Sequence, residues 1–112
     1  MATSTIPNAK GWRKLGNRHT LSNMNSDEYH NEYFSGDYSE VMVTTGCGSG
    51  VFARTSSDKI AGFKYYYSGN YYGEIAGRVL TYDGQVTFHY RLVSKGSMDN
   101  ISDRGWSEIY IR

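Results

Sequence analysis

The sequence predicts an all-β domain, a small antiparallel β-sandwich of seven or eight short strands. Three observations carry this. Residues 85–93 alternate apolar and polar without a break, with Val86, Phe88, Tyr90 and Leu92 on one side and Gln85, Thr87, His89 and Arg91 on the other; this is the period-2 pattern of a half-buried strand. The composition holds 13 Gly and one Pro, placed so that tight turns separate the apolar runs. No segment shows the three-to-four-residue apolar stripe of an amphipathic helix, not even residues 23–32, the nearest candidate.

In chain order, residues 1–10 read as a flexible polar leader and residues 11–112 as a single sandwich domain. Short strands are expected at Trp12 to Leu15, Ser39 to Thr45 and Gly50 to Arg54. Residues 60–93 form a three-stranded meander. Its first strand carries Ala61, Phe63, Tyr65 and Tyr67 inward, and Ser68-Gly69-Asn70 supplies the turn. The second turn is Asp83-Gly84, a dipeptide favoured in two-residue type I′ hairpins. Folding the chain about it sets Thr81 against Val86, Val79 against Phe88, Gly77 against Tyr90 and Ile75 against Leu92, so inward positions meet and Gly77 makes room for a ring. On the other side Arg78 meets His89, Ala76 meets Arg91, and Glu74 falls diagonal to Arg91. Residues 106–111 supply the last strand.

Ile, Leu, Val and Phe number only 20 of 112 residues, whereas Tyr alone numbers 11. Aromatic rings are therefore expected to supply much of the core, and so thin an aliphatic core in a small domain favours oligomerisation. The formal charge of +1 argues against a dedicated polyanion binder, so nucleic acid is not an expected partner. No apolar run approaches the length of a membrane span. One cysteine excludes an internal disulfide framework and a multi-cysteine zinc site.

Several sets invite a chemical reading. Cys47, within Gly46-Cys47-Gly48-Ser49-Gly50, lacks the lysine and helix of a phosphate loop and reads as a small buried thiol in a strand connection. Glu28, His30 and Glu32 share one strand face near Asp27; a weak cation site is the chemical alternative to a solvated charged surface, the reading adopted, and no metal or other cofactor is assigned. The same acids with His19, His89 or Arg91 could serve as acid and base of a small ribonuclease. Four bases between Lys10 and Arg18 oppose five acids between Asp27 and Glu40; the basic block around Trp12 reads as an edge strand guarded against stray pairing. The most informative feature is the run 65–72, five tyrosines around a turn. Exposed phenols beside small polar residues make a recognition surface, unless a neighbouring subunit covers them.

Trp12-Arg13-Lys14-Leu15-Gly16 opens the domain, Ile60 to Tyr72 leads an aromatic strand into its turn, and Ile109-Tyr110-Ile111-Arg112 ends the chain. This pattern resembles the small β-rich C-terminal domains of tail-fibre, baseplate and related virion proteins of tailed bacteriophages and prophages. The resemblance implies a homotrimeric, non-enzymatic virion domain that attaches to a bacterial surface glycan or protein, alongside other virion subunits. Ligand contacts are expected from Tyr66, Tyr71, Tyr72 and Trp106 by ring stacking, and from Asn70, His89 and Arg91 by hydrogen bonding. A structural virion protein and a small hydrolase are the alternatives.

Overall fold

The computed structural model describes residues 10–96 and 100–112; the expected leader, apart from Lys10, lies outside the described residues. Its strands are β1 (Arg13–Thr20), β2 (Glu28–Tyr33), β3 (Glu40–Thr45), β4 (Gly48–Ala53), β5 (Asp58–Tyr67), β6 (Asn70–Tyr82), β7 (Gln85–Ser94) and β8 (Trp106–Ile111). They form two four-stranded antiparallel sheets, ordered β1-β8-β3-β4 and β2-β7-β6-β5. The all-β sandwich is therefore the fold, with a 3₁₀ turn at Ile101–Asp103 and no α-helix among the described residues.

Alternation explains the sandwich. The first sheet turns Leu15, Val41, Val43, Ile109 and Ile111 inward, and the second answers with Ile75, Val79, Val86, Phe88, Tyr90 and Leu92; all eleven are fully buried. Burying each such side chain contributes about 1.5–3 kcal/mol, so this double layer dominates the stability. The aromatic share of the core is smaller than composition suggests. Of the tyrosines only Tyr38 and Tyr90 are buried. Tyr38 donates its hydroxyl to the Tyr82 carbonyl at 3.0 Å, and the Tyr90 ring stacks on Phe88 at 4.3 Å.

The β6–β7 ladder has the register expected from alternation: Ile75 faces Leu92, Gly77 faces Tyr90, Val79 faces Phe88 and Thr81 faces Val86. A bulge between Glu74 and Ile75 then shifts Glu74 opposite Ser94, which removes its expected diagonal to Arg91. The Asp83-Gly84 turn joins Tyr82 to Gln85, but Gly84 (φ 71°) is its only left-handed residue, so it is not type I′. It is tethered from outside, where the Phe34 N–H donates to the Gly84 carbonyl and Arg54 pairs with Asp83. The type I′ geometry occurs at the other hairpin, where Ser68 (φ 50°) and Gly69 (φ 79°) join Tyr67 to Asn70.

Two further differences shape the site. The expected strand at Trp12 extends to Thr20, with an irregular stretch between Leu15 and His19 in which Gly16 takes φ 60°. Residues 28–33 form the edge strand β2, although their sequence is almost wholly polar.

Gly77 is where close packing leaves no freedom. A Cβ there would lie 2.6 Å from the Tyr90 Cβ and 2.6 Å from the His89 carbonyl, whereas one at Gly62 would meet nothing within 4 Å. Gly77→Ala is expected to lower unfolding free energy by about 1–3 kcal/mol, and Gly62→Ala to leave it unchanged or slightly raised. Urea unfolding of the two variants checks the contrast.

Candidate functional site

The pleat sends alternate residues of the second sheet outward, and the pairings group them. Tyr29 lies opposite His89, Arg78 opposite His89, Ile60 opposite Arg78, Ala76 opposite Arg91, and Tyr66 opposite Tyr71. Tyr33 and Tyr82 flank Gln85 at the far end. Of the eight exposed large apolar or aromatic side chains among the described residues, six are on this face: Tyr29, Tyr33, Ile60, Tyr66, Tyr71 and Tyr82. Exposed apolar and aromatic side chains collected on one face, paired at either end with Tyr29 and Ile60 between, make it the candidate interaction surface.

The face is pre-arranged. The Tyr29 ring stacks in parallel on His89 at 3.9 Å, and Tyr66 meets Tyr71 edge-on at 5.8 Å. The Tyr71 hydroxyl donates to Glu74 Oε1 at 2.8 Å. Arg78 grips Asp58 through Nε at 2.9 Å and through its second nitrogen at 3.2 Å, which holds the Asp58 carboxyl below the usual range. Between them lies an open depression of about 340 Å³ lined by Asp27, Ile60, Ala76, Arg78, His89 and Arg91. Its lining mixes apolar Ile60 and Ala76 with the charged groups of Asp27, Arg78 and Arg91.

The seven residues expected to contact ligand fall in three places. Tyr66, Tyr71, His89 and Arg91 share the outer face of the second sheet. Asn70 stands at the tip of the β5–β6 hairpin, and Tyr72 is extruded by the bulge between Tyr65 and Tyr66, so its ring packs edge-on against Tyr65 at 6.3 Å and Tyr67 at 5.6 Å. Trp106 belongs to the first sheet, under the Arg18 guanidinium at 3.7 Å. It does not join the others. Tyr67 follows Tyr65 in direction, yet it stays 59% exposed because the hairpin outruns its neighbours: β7 pairs with β6 only from Glu74 onward. Asp27, Tyr29, Tyr33, Ile60 and Tyr82 belong to the face without having been expected there, and Arg78, expected beside His89, had not been expected to contact ligand. The signal that could have found Arg78 was already present, since the hairpin register set it beside His89.

A second cluster is buried. Glu28, His30 and Glu32 face Tyr90, Phe88 and Val86 across the β2–β7 ladder, so they turn toward the interior instead of forming a solvated surface. His30 Nε2 lies 2.7 Å from Glu32 Oε2 and its Nδ1 lies 2.7 Å from Ser107 Oγ. Ser107 Oγ is 2.8 Å from the Tyr90 hydroxyl, which is 2.8 Å from His19 Nδ1. His19 Nε2 then reaches Glu28 Oε1 at 3.3 Å, and Glu28 Oε2 accepts the Ser22 N–H at 2.8 Å. The two imidazoles stack at 5.5 Å. Burial, reinforced by His19, pushes the His30 pKa down to about 4; burial raises those of Glu32 and Tyr90. The hydroxyl–imidazole–carboxylate order is that of a nucleophile and base, but Ser107 is fully buried and His30 nearly so, leaving no surface on which a substrate reaches the hydroxyl. Of the residues the ribonuclease alternative named, His19 joins the acids here, whereas His89 and Arg91 lie on the opposite face of the same sheet. Both His30 nitrogens are engaged, and no group of three or more metal-binding side chains is assembled among the described residues.

The remaining sets have structural roles. Lys14 and Arg18, on the edge strand β1, pair with Glu108 at 3.2 and 3.1 Å instead of with the acidic block, whose Glu40 pairs with Arg112 at 2.9 Å. Trp12 is buried beneath the Arg112 guanidinium at 4.2 Å. Cys47 sits in the tight β3–β4 turn, where burial pushes its thiol up to about 11. The chain matches no protein-family model, no curated protein and no solved structure.

Two outcomes follow from the buried cluster. The unfolded chain binds a proton at His30 below its ordinary value of 6.5, while the fold resists it down to about 4. Stability therefore falls as pH drops through that window, by about 3 kcal/mol in total, and His30→Gln removes this dependence; urea midpoints between pH 4 and 7 report it. Tyr90→Phe leaves Ser107 and His19 without their shared partner and is expected to cost about 1–3 kcal/mol, measured by thermal or urea unfolding.

Proposed function

We propose that this chain is a non-enzymatic virion domain of a tailed bacteriophage, a homotrimer that attaches to a bacterial surface glycan through the outer face of the β2-β7-β6-β5 sheet. The observation that carries the reading is the gathering of six exposed large apolar or aromatic side chains on that one face. Sugar rings present apolar C–H faces that stack on phenols, and hydroxyls that charged groups fix in orientation. The depression beside Tyr29 offers both kinds of partner, Ile60 and Ala76 on the one hand and Asp27, Arg78, His89 and Arg91 on the other. Tyrosine loses little entropy when a ligand orders it, which suits a preformed surface.

Ile60 favours a second reading. An aliphatic side chain left 79% exposed on the edge strand β5 suits burial against protein better than contact with a sugar, as in a structural virion protein whose tyrosine face packs on other subunits.

Tyr66→Ala combined with Tyr71→Ala is expected to weaken glycan or cell binding at least tenfold, about 1.4 kcal/mol or more, with the unfolding free energy within about 0.5 kcal/mol of wild type. Adsorption assays and a glycan array measure the first, and light scattering measures the trimer. Undiminished adsorption in the folded double variant overturns the assignment of this face; binding only to assembled particles selects the structural reading.

A further inference from the structure

We propose that the hydrogen-bonded run Glu28–His19–Tyr90–Ser107–His30–Glu32 is a binding site for one proton, which at neutral pH fastens the edge of the sandwich where β1 meets β2. Counting protons carries the argument. The run contains five donor–acceptor links: Glu28 to His19, His19 to Tyr90, Tyr90 to Ser107, Ser107 to His30, and His30 to Glu32. Each link requires one proton between its two heavy atoms. A neutral imidazole supplies one, as does each hydroxyl, and an ionised carboxylate supplies none. Two neutral histidines, Tyr90 and Ser107 thus bring four protons to five links, and one link sets lone pair against lone pair.

No reorientation of hydroxyls or exchange of tautomers repairs the shortfall, because both ends of the run are pure acceptors. One bound proton does. With the hydroxyls pointing toward His30, the extra proton sits on His19 Nε2 against Glu28, the longest link at 3.3 Å. With the hydroxyls reversed, it sits on Glu32, whose carboxyl burial already disposes to hold a proton. The site therefore loads from either end, and His30 stays neutral in both arrangements.

The surroundings do not supply the proton. From β1, Lys14 and Arg18 are committed to Glu108 of β8, whose field reaches His30. The β7 strand contributes only Tyr90, and β2 contributes the two carboxylates. The His19 carbonyl, 3.4 Å from the Tyr90 oxygen, adds an acceptor. The N–H of Ser22 serves the outer oxygen of Glu28, while the Asn17 backbone touches both Glu32, favouring its ionised form, and His30, to which its carbonyl adds a further acceptor; neither segment brings the missing proton. Gly16 brings β1 against this end of the run: a Cβ there would collide with the Glu32 carboxylate. The run is thus built from four strands of both sheets, and filling it ties β1 and β8 to β2 and β7.

Glutamine provides the test, since an amide replaces the missing donor covalently. In Glu28→Gln the amide donates to His19 Nε2, the hydroxyls point toward His30, and His30 is fixed as the Nε2–H tautomer. In Glu32→Gln the amide donates to His30 Nε2, the order reverses, and His30 is fixed as the Nδ1–H tautomer. Imidazole nitrogen NMR of the folded full chain at pH 7 is expected to show these opposite tautomers, a result that a merely structural hydrogen bond would not produce. Ser107→Ala divides the run into two pieces whose own protons suffice, so potentiometric titration should find one bound proton fewer than in wild type at pH 7. The same tautomer in both glutamine variants overturns the proposal. So does a wild type with two neutral histidines and two ionised carboxylates, and so does a Ser107→Ala variant that releases no proton.

Discussion

A phenol in a protein interior must hydrogen-bond, because its hydroxyl loses water and the low dielectric makes an unpaired group costly. Tyr90 is the largest fully buried side chain, and its position organises the surrounding sandwich. Its ring needs the absent side chain of Gly77 across the ladder, and its other face lies on Phe88. Its oxygen needs partners from outside its own sheet, which Ser107 and His19 of the first sheet supply. Once those polar groups are interior, their own valences call in His30, Glu28 and Glu32. That demand explains how an almost wholly polar strand can close the sheet with its charged residues facing inward.

How much of this could be read from the residues depended on whether a signal was local. The β6–β7 register was legible because apolar alternation and a two-residue turn over-determine it; slipping by one residue would expose Val79, Phe88 and Leu92 together. The bulges were not legible. The one between Glu74 and Ile75 carries no compositional mark, and it decides which residue of β7 Glu74 meets. The turn type also escaped, because contacts from Phe34 and Arg54 constrain Asp83-Gly84 from distant parts of the chain. Strand β2 was the hardest element, since its inward face is polar and apolar periodicity has nothing to register there.

The tyrosine-rich surface was half legible. Proximity in sequence drew attention to residues 65–72, and Tyr66 and Tyr71 do share a face with His89 and Arg91. Tyr29, Tyr33 and Tyr82 come from three different strands and join that surface only through pairing with β7. Trp106 shows the converse: an indole that looks available in the sequence is covered by a guanidinium in the fold. The buried run could not be assembled from the chain at all, since Ser107 stands 77 residues from His30 and Tyr90 stands 71 from His19.

The end of the β5–β6 hairpin, which continues past the last residue of β7, has a separate consequence. Among the described residues the strand pairing of Asn70–Gly73 is with β5 alone, and Gly96, just past β7, lies against the Tyr71–Tyr72 backbone, so opening this end disturbs little of the inner layer. Amide exchange there should outpace that of Val79 or Phe88 by orders of magnitude. The same decoupling lets substitutions accumulate at the tip with little penalty to folding. A lineage could thus retune what this finger touches while inheriting the rest of the scaffold unchanged.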